Sequence, residues 1–196
     1  MENKIKVIAF FGKSASGKDT IQKWIVSQYP DITSGIVSCT TRPKRDYEID
    51  GKDYFFLNDV KFGEKVLNGS MLEATSFNGW FYGTPIEGLQ SDKINIGVFN
   101  PEGISALLAD SRLAVLPVYV YASDKTRLLR SLNREDKPNC YEICRRFFAD
   151  EQDFANWDFS ALTINNEKGF DTSFLTQLVF DFNYEYGQTN LTNKVK

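Results

Sequence analysis

The chain has 196 residues, of which 42% are hydrophobic and 25% charged, and a formal net charge of −3; this is a globular composition with material for one domain and its core. It holds three cysteines and no histidine, which excludes Ser–His and Cys–His catalysis, histidine metal sites and histidine pH switching. The odd cysteine count, the absence of a signal-like N-terminus and the lack of a bilayer-length apolar run predict a reduced, cytoplasmic protein, and the mild acidity gives no pull toward nucleic acid or membrane.

The first element is a continuous apolar run, Lys6 to Phe11, as expected of a strand covered on both faces. Next comes Gly12-Lys-Ser14-Ala15-Ser16-Gly17-Lys18-Asp19-Thr20, which opens a helix carrying Ile21, Trp24, Ile25 and Gln28. Glycines let such a loop turn its N–H groups inward onto phosphate oxygens. The helix N-terminus adds positive potential, and Lys18 supplies a point charge for the β- and γ-phosphates. After the lysine, a hydroxyl that touches Mg²⁺ is usual. Asp19 stands there, followed by Thr20, so either Asp19 or Thr20 is the expected metal contact, a carboxylate being a competent oxygen ligand.

Residues 36–93 read as a small β-rich insertion with short alternating segments. Its first half brings Ser38, Arg42, Arg45, Glu48, Gly51 and Tyr54 close together in sequence; two forked guanidiniums and a phenol suit a phosphate monoester. Its second half holds Glu73, Tyr82 and Thr84, a carboxylate with two hydroxyls. A second apolar strand, Ile94 to Phe99, leads through Asn100 into a helix with Pro101 in its first turn. A third strand, Leu113 to Tyr121, precedes a helix expected to be capped by Asp124 and to bury Leu128, Leu129 and Leu132. A charged loop follows at 134–140. The next helix, from about Tyr141, carries Phe147, Phe148 and Phe154. A last strand, Leu162 to Ile164, leads to a helix from about Asp171 with Phe174, Leu175, Leu178 and Val179. The polar end from Gly187 is expected to fray, and sequons at Asn68 and Asn190 are given no role. Strand–helix alternation of this kind predicts an α/β fold, a parallel sheet with helices on both faces.

Taken together, the loop ending in Gly17-Lys18, the Ser38-x-Thr40-Thr41-Arg42 stretch with Arg45, Glu48, Gly51 and Tyr54, and the block from Glu73 to Thr84 resemble the guanylate kinase family, in family order and with nearly family spacing. The resemblance implies one domain over 1–196: a P-loop NTPase-type core (1–35 and 94–196), a monophosphate-binding insertion (36–93) and a lid loop (134–141). It implies that Arg42, Arg45, Tyr54 and Tyr82 hold the acceptor's phosphate, while Ser38, Glu73 and Thr84 face its base. Lys18 with Arg130, Arg134 and Arg146 would stabilise the transferring phosphoryl group, and Asn165, with Asn166, would lie on the adenine side. The family's Asp-x-Asp at the end of the middle strand is Val98-Phe99-Asn100 here, and Trp80 replaces a small polar residue.

The activity so implied is Mg²⁺-dependent transfer of the ATP γ-phosphoryl to GMP or dGMP. The chemistry of the base agrees: guanine presents N1–H and N2–H₂ as adjacent donors that one carboxylate accepts, whereas adenine presents an acceptor. A mismatch at a buried polar site discriminates by on the order of 10⁴. Two alternatives share much of the pattern, a broader deoxynucleoside monophosphate or sugar-phosphate kinase and a non-catalytic protein-binding module. The intact Lys18 loop and the lid arginines argue against the module.

Overall fold

A computed structural model describes residues 4–46, 48–77, 79–134 and 136–187; the Asn190 sequon and the polar end beyond Gly187 lie outside the described residues. Along the chain run β1 (Ile5–Phe11), α1 (Lys18–Gln28), β2 (Thr33–Gly35), β3 (Cys39–Thr40), β4 (Phe55–Phe56), α2 (Asp59–Leu67), β5 (Met71–Phe77), β6 (Trp80–Pro85), β7 (Ile94–Val98), α3 (Pro101–Ala109), β8 (Leu113–Tyr121), α4 (Asp124–Leu132), α5 (Cys140–Asp153), β9 (Leu162–Asn165) and α6 (Thr172–Gly187).

Five strands form one parallel sheet in the order β2-β7-β1-β8-β9. The chain needs long crossovers between parallel neighbours, and the helices supply them. Because side chains alternate along a strand, β1 feeds two cores. Ile8 and Phe10 pack with Ile21 and Ile25 of α1 and with Leu175, Val179 and Phe182 of α6. Val7, Ala9 and Phe11 pack with Ile104 and Leu107 of α3 and with Phe154 at the end of α5. Helices therefore cover both faces, which explains the continuous rather than alternating hydrophobicity of β1, β7 and β8.

A second, four-stranded sheet, β4-β3-β6-β5, lies within the inserted region. β5 and β6 form an antiparallel hairpin in which Glu73 faces Thr84. α2 packs on this sheet, and its Phe62 is buried against the ring of Phe81.

Several elements differ from the expectations. The five-stranded sheet has a fifth member, β2, three residues long at an edge. α2 arises where short strands alone were expected. α4 is capped by Ser123, whose hydroxyl accepts from Thr126 N–H, while Asp124 occupies the first turn. Of the leucines expected in the core, Leu132 is half-buried, but Leu128 is 39% and Leu129 50% exposed, whereas Arg127 is 1% exposed. Phe148 and Phe174 also point outward. On α4 the side chain turned toward the loop that follows β1 is Arg127, held there by Ser14 C=O and Asp150, so Leu128 and Leu129 beside it face away.

Candidate active site

The site begins where β1 ends. Two glycines of the following loop have no room for a side chain. A Cβ on Gly12 would lie 2.5 Å from the carbonyl oxygen of Val120, and one on Gly17 2.2 Å from Asn166 Nδ2. Gly17 also has φ 100°, in the left-handed region that suits glycine. Between them the chain turns so tightly that Ser16 N–H donates to Lys13 C=O. Ala15 takes φ 60°, the one positive φ among described non-glycine residues. Ser16 Oγ is buried without a partner among the described residues. Lys18 and Asp19 open α1, and Asp19 and Thr20 are exposed at its first turn.

Arg130 braces this loop from behind. Its guanidinium donates to the carbonyls of Ser16 (3.2 Å) and Asn166 (2.6 Å), so the described geometry puts it on the loop's frame. Asn166, buried, donates Nδ2 to Ser16 C=O at 2.7 Å. Asn165 is exposed and accepts from Glu167 N–H instead. Of the two asparagines, Asn166 is the one against the loop.

The inserted sheet presents the second half of the site. Arg42 is buried and donates to both carboxylate oxygens of Glu48, at 3.0 and 2.7 Å. Its guanidinium also lies 5.5 Å from the Tyr54 ring centroid. Glu48 accepts the backbone N–H of Arg45 and pairs with its side chain at 3.5 Å. Burial alone would raise the Glu48 carboxyl, but the hydrogen bonds from Arg42 and Arg45 outweigh it and hold it below its ordinary value. Glu48 thus sets the position of both arginines. The Tyr54 and Tyr82 rings meet edge to face at 6.1 Å. Burial pushes the Tyr54 phenol up, and the negative charge of Asp19 adds to this.

Deeper in this half, Thr84 Oγ1 donates to Glu73 Oε1 at 2.8 Å. Burial pushes Glu73 up to about 7 against the lowering effect of Thr84. Asn100 caps α3, its Oδ1 accepting from Gly103 N–H at 2.7 Å, and donates Nδ2 to Thr75 Oγ1 at 3.2 Å. Ser38 contributes its carbonyl to Phe55 N–H.

The third wall comes from α4 and α5. Glu142 accepts from Arg145 and Arg146 together, and these hydrogen bonds hold its carboxyl down to about 2 although burial opposes them. The guanidinium of Arg145 lies over Trp80 of β6. A cavity is lined by Ser14 and Ala15 of the loop, Arg45 of the insertion, Arg134 just after α4 and Arg146 of α5. Residues predicted from three separated segments therefore share one space. Lys18 and Tyr82 are not among the residues lining it.

The sequence reasoning passed over Arg127, Asp150 and the positioning role of Glu48. A signal was present for Asp150. Ile143, Phe147, Asp150 and Phe154 follow helical spacing, so a carboxylate sits in an apolar stripe and demands a buried cation.

The family model described as "Guanylate kinase" matches residues 4–177. A guanylate kinase of Streptococcus thermophilus is 42% identical over 86 residues, 44% of this chain and 41% of that protein. One of Prochlorococcus marinus is 43% identical over 97 residues, 50% of this chain and 52% of that protein. The chain thus spans about half the length, or less, of the curated relatives it matches. The crystal structure of guanylate kinase from Anaplasma phagocytophilum superposes with a TM-score of 0.63 at 22% identity, covering 95% of this chain and 89% of that one, a likeness of fold. With the family model running from the start of β1 into α6, and with the loop, the inserted sheet and the arginine-bearing helices all within it, the chain belongs to the guanylate kinase family.

Proposed function

We propose that the protein transfers the γ-phosphoryl group of ATP to GMP or dGMP. The observation that carries this reading is the single cavity shared by the phosphate loop, Arg45 and the lid arginines Arg134 and Arg146. Phosphoryl transfer is governed by alignment and charge stabilisation more than by covalent chemistry of side chains, and this cavity gathers loop amides and guanidiniums without histidine.

In this reading the domain comprises the core, the inserted sheet as acceptor site and residues 134–141 as lid. The loop amides of Ala15, Gly17 and Lys18, together with the Lys18 ammonium, hold the donor phosphates, while the Ser14 and Ser16 amides hold the loop's own shape. Arg42, Arg45, Tyr54 and Tyr82 hold the acceptor's phosphate, with Glu48 fixing the two arginines. Ionised Glu73 accepts guanine N1–H and N2–H₂, and Thr84 steadies that carboxylate. Asn100 has its oxygen engaged by the α3 N-terminus, so base selection falls chiefly on Glu73. Arg134 and Arg146 stabilise charge on the transferring group, and Arg130 holds the loop that presents it.

The residues present also suit Mg²⁺. This ion keeps several waters and takes one or two protein oxygens beside substrate phosphates; Asp19, exposed at the helix start and felt electrostatically by Tyr54, offers such an oxygen. When bound, the ion neutralises charge on the β- and γ-oxygens. Among the described residues no helix is long and apolar enough to cross a membrane. The described cysteines, Cys39, Cys140 and Cys144, are unpaired thiols.

A coupled assay for ADP formation across GMP, dGMP, AMP, dAMP, UMP, CMP and dTMP tests the proposal. GMP or dGMP turnover that disappears in Lys18→Ala supports it. Preference for another base, or no turnover with any of these, overturns it.

A further inference from the structure

The largest fully buried side chain of the described protein is an arginine, Arg127. It sits on α4 and meets Asp150 of α5, with Nη2 donating to Oδ2 at 2.5 Å; both side chains are 1% exposed. Its guanidinium also stacks 4.4 Å from the Phe147 ring centroid, and Nη1 donates to Asp124.

This pair grips one residue of the phosphate loop. Asp150 Oδ2 accepts Ser14 N–H at 2.8 Å, and Oδ1 accepts Ser14 Oγ–H at 3.0 Å. Arg127 Nε donates to Ser14 C=O at 2.9 Å. Every polar group that Ser14 owns is thereby held by the ion pair. The next residue is Ala15, at φ 60°. It is the third residue of the turn closed by Ser16 N–H and Lys13 C=O, a position where a positive φ favours glycine. A Cβ-bearing residue in the left-handed region is strained and persists only where its surroundings over-determine it.

We propose that the Arg127–Asp150 pair is a positioning device that holds the apex of the phosphate loop in its donor-binding conformation. The inference rests on the reading of Gly12 to Thr20 as the ATP site. Stability alone is a poor reason for such a pair, since the cost of desolvating two charges often exceeds their attraction and apolar residues of like volume serve as well. Apolar residues could not hold a backbone N–H, a carbonyl and a hydroxyl at once. The described donors of Arg127 are committed to Ser14, Asp124 and Asp150, so it acts through the loop and not on phosphate. Because Arg127 and Asp150 come from the helices on either side of the 134–140 loop, lid and donor site are joined at Ser14.

The test uses the full chain, titrated with a fluorescent ADP analogue and assayed with ATP and GMP. Asp150→Asn and Arg127→Lys are expected to weaken ADP binding about tenfold, the order of one strained backbone residue, and to raise the KM for ATP equally. The KM for GMP should stay within twofold. Adding Ala15→Gly to Asp150→Asn should recover most of the loss, because glycine takes the left-handed φ without being held. ADP affinity within twofold of wild type in both single variants, or a loss that Ala15→Gly does not recover, overturns the proposal. If Asp150→Asn fails to fold, Ser14→Ala removes only the hydroxyl bond. A loss of about threefold is then expected, the low end of the net worth of one hydrogen bond, and unchanged affinity overturns the proposal. Wild-type protein that binds no ADP overturns instead the reading of the loop as donor site.

Discussion

The guanidinium of Arg145 on α5 lies 5.5 Å from the ring centroid of Trp80 on β6, so α5 meets the inserted sheet directly. Glu142 holds Arg145 from the other side through hydrogen bonds at 2.7 and 2.8 Å. A cation over an indole contributes about 0.5–1 kcal/mol at partly exposed sites. Trp80→Ala should therefore lower kcat/KM for GMP by about two- to fivefold, and should raise ATP hydrolysis in the absence of acceptor. Phosphate release without GMP checks this; unchanged release removes the contact from lid closure.

In the proposed reading, Glu73 gives acceptor binding a pH dependence near neutrality. Its carboxyl is pushed up to about 7, chiefly by burial. Guanine needs the ionised form, so the KM for GMP should fall as pH rises from 6 to 8, while the KM for ATP stays level. Glu73→Gln should abolish the slope and raise the KM for GMP by about 10- to 100-fold, the worth of a charged hydrogen bond. For stability the sign is opposite. A carboxyl raised in the folded state favours folding while protonated, so its contribution is complete below the unfolded value and is lost as pH climbs toward about 7. Thermal melts from pH 5 to 8, wild type against Glu73→Gln, check that half.

Glu48 behaves in the reverse way. Its carboxyl is depressed, so the stability it contributes is present above the ordinary carboxylate value and is lost as pH falls through the folded one. Glu48→Ala leaves the Arg42 guanidinium buried without its counter-ion, which costs about 3–5 kcal/mol. Urea denaturation at pH 7 measures this, and the variant should also lose acid sensitivity relative to wild type.

Arg146 lines the shared cavity and is oriented by Glu142 at 2.8 Å. Arg146→Ala should lower kcat by about 10³-fold or more, as for arginines that stabilise phosphoryl transfer, with ADP affinity changed far less. Single-turnover kinetics at saturating substrate separate the two. Glu142→Gln, which releases the guanidinium while keeping its charge, should fall between Arg146→Ala and wild type.

Legibility in the sequence followed how locally each feature is determined. The β1–loop–α1 unit was readable because the apolar run, the glycines and Lys18 act within fifteen residues of one another. The Arg42–Arg45–Tyr54 group was readable as chemistry, whereas Glu48 as the fixer of both arginines needed the turn that brings its carboxylate to the Arg45 N–H. α4 was read with the wrong face inward. Its leucines outnumber other apolar residues, yet burial there is decided by Asp150, 23 residues further on. β2 is three residues long and gains its place from pairing with β7, Thr33 beside Ile94. Asn165 and Asn166 were indistinguishable by type, and only the register of β9 against β8 turns Asn166 toward Ser16.

The inward turn of α4 has a thermodynamic consequence. Arg127 and Arg130 face the loop, and Arg45, Arg134 and Arg146 line the cavity beside Glu142, while Asp150 and Glu151 touch the loop at Ser14 and Lys13. In the proposed reading, a polyphosphate bound at the loop adds negative charge beside Arg45, Arg134 and Arg146, whose described carboxylate partners include Glu48 and Glu142. Ligand that binds only the folded state adds RT ln(1 + [L]/Kd) to stability. ADP, and more weakly inorganic pyrophosphate, should therefore raise the melting temperature, the gain growing with the logarithm of ligand concentration above Kd and shrinking as salt screens the same charges.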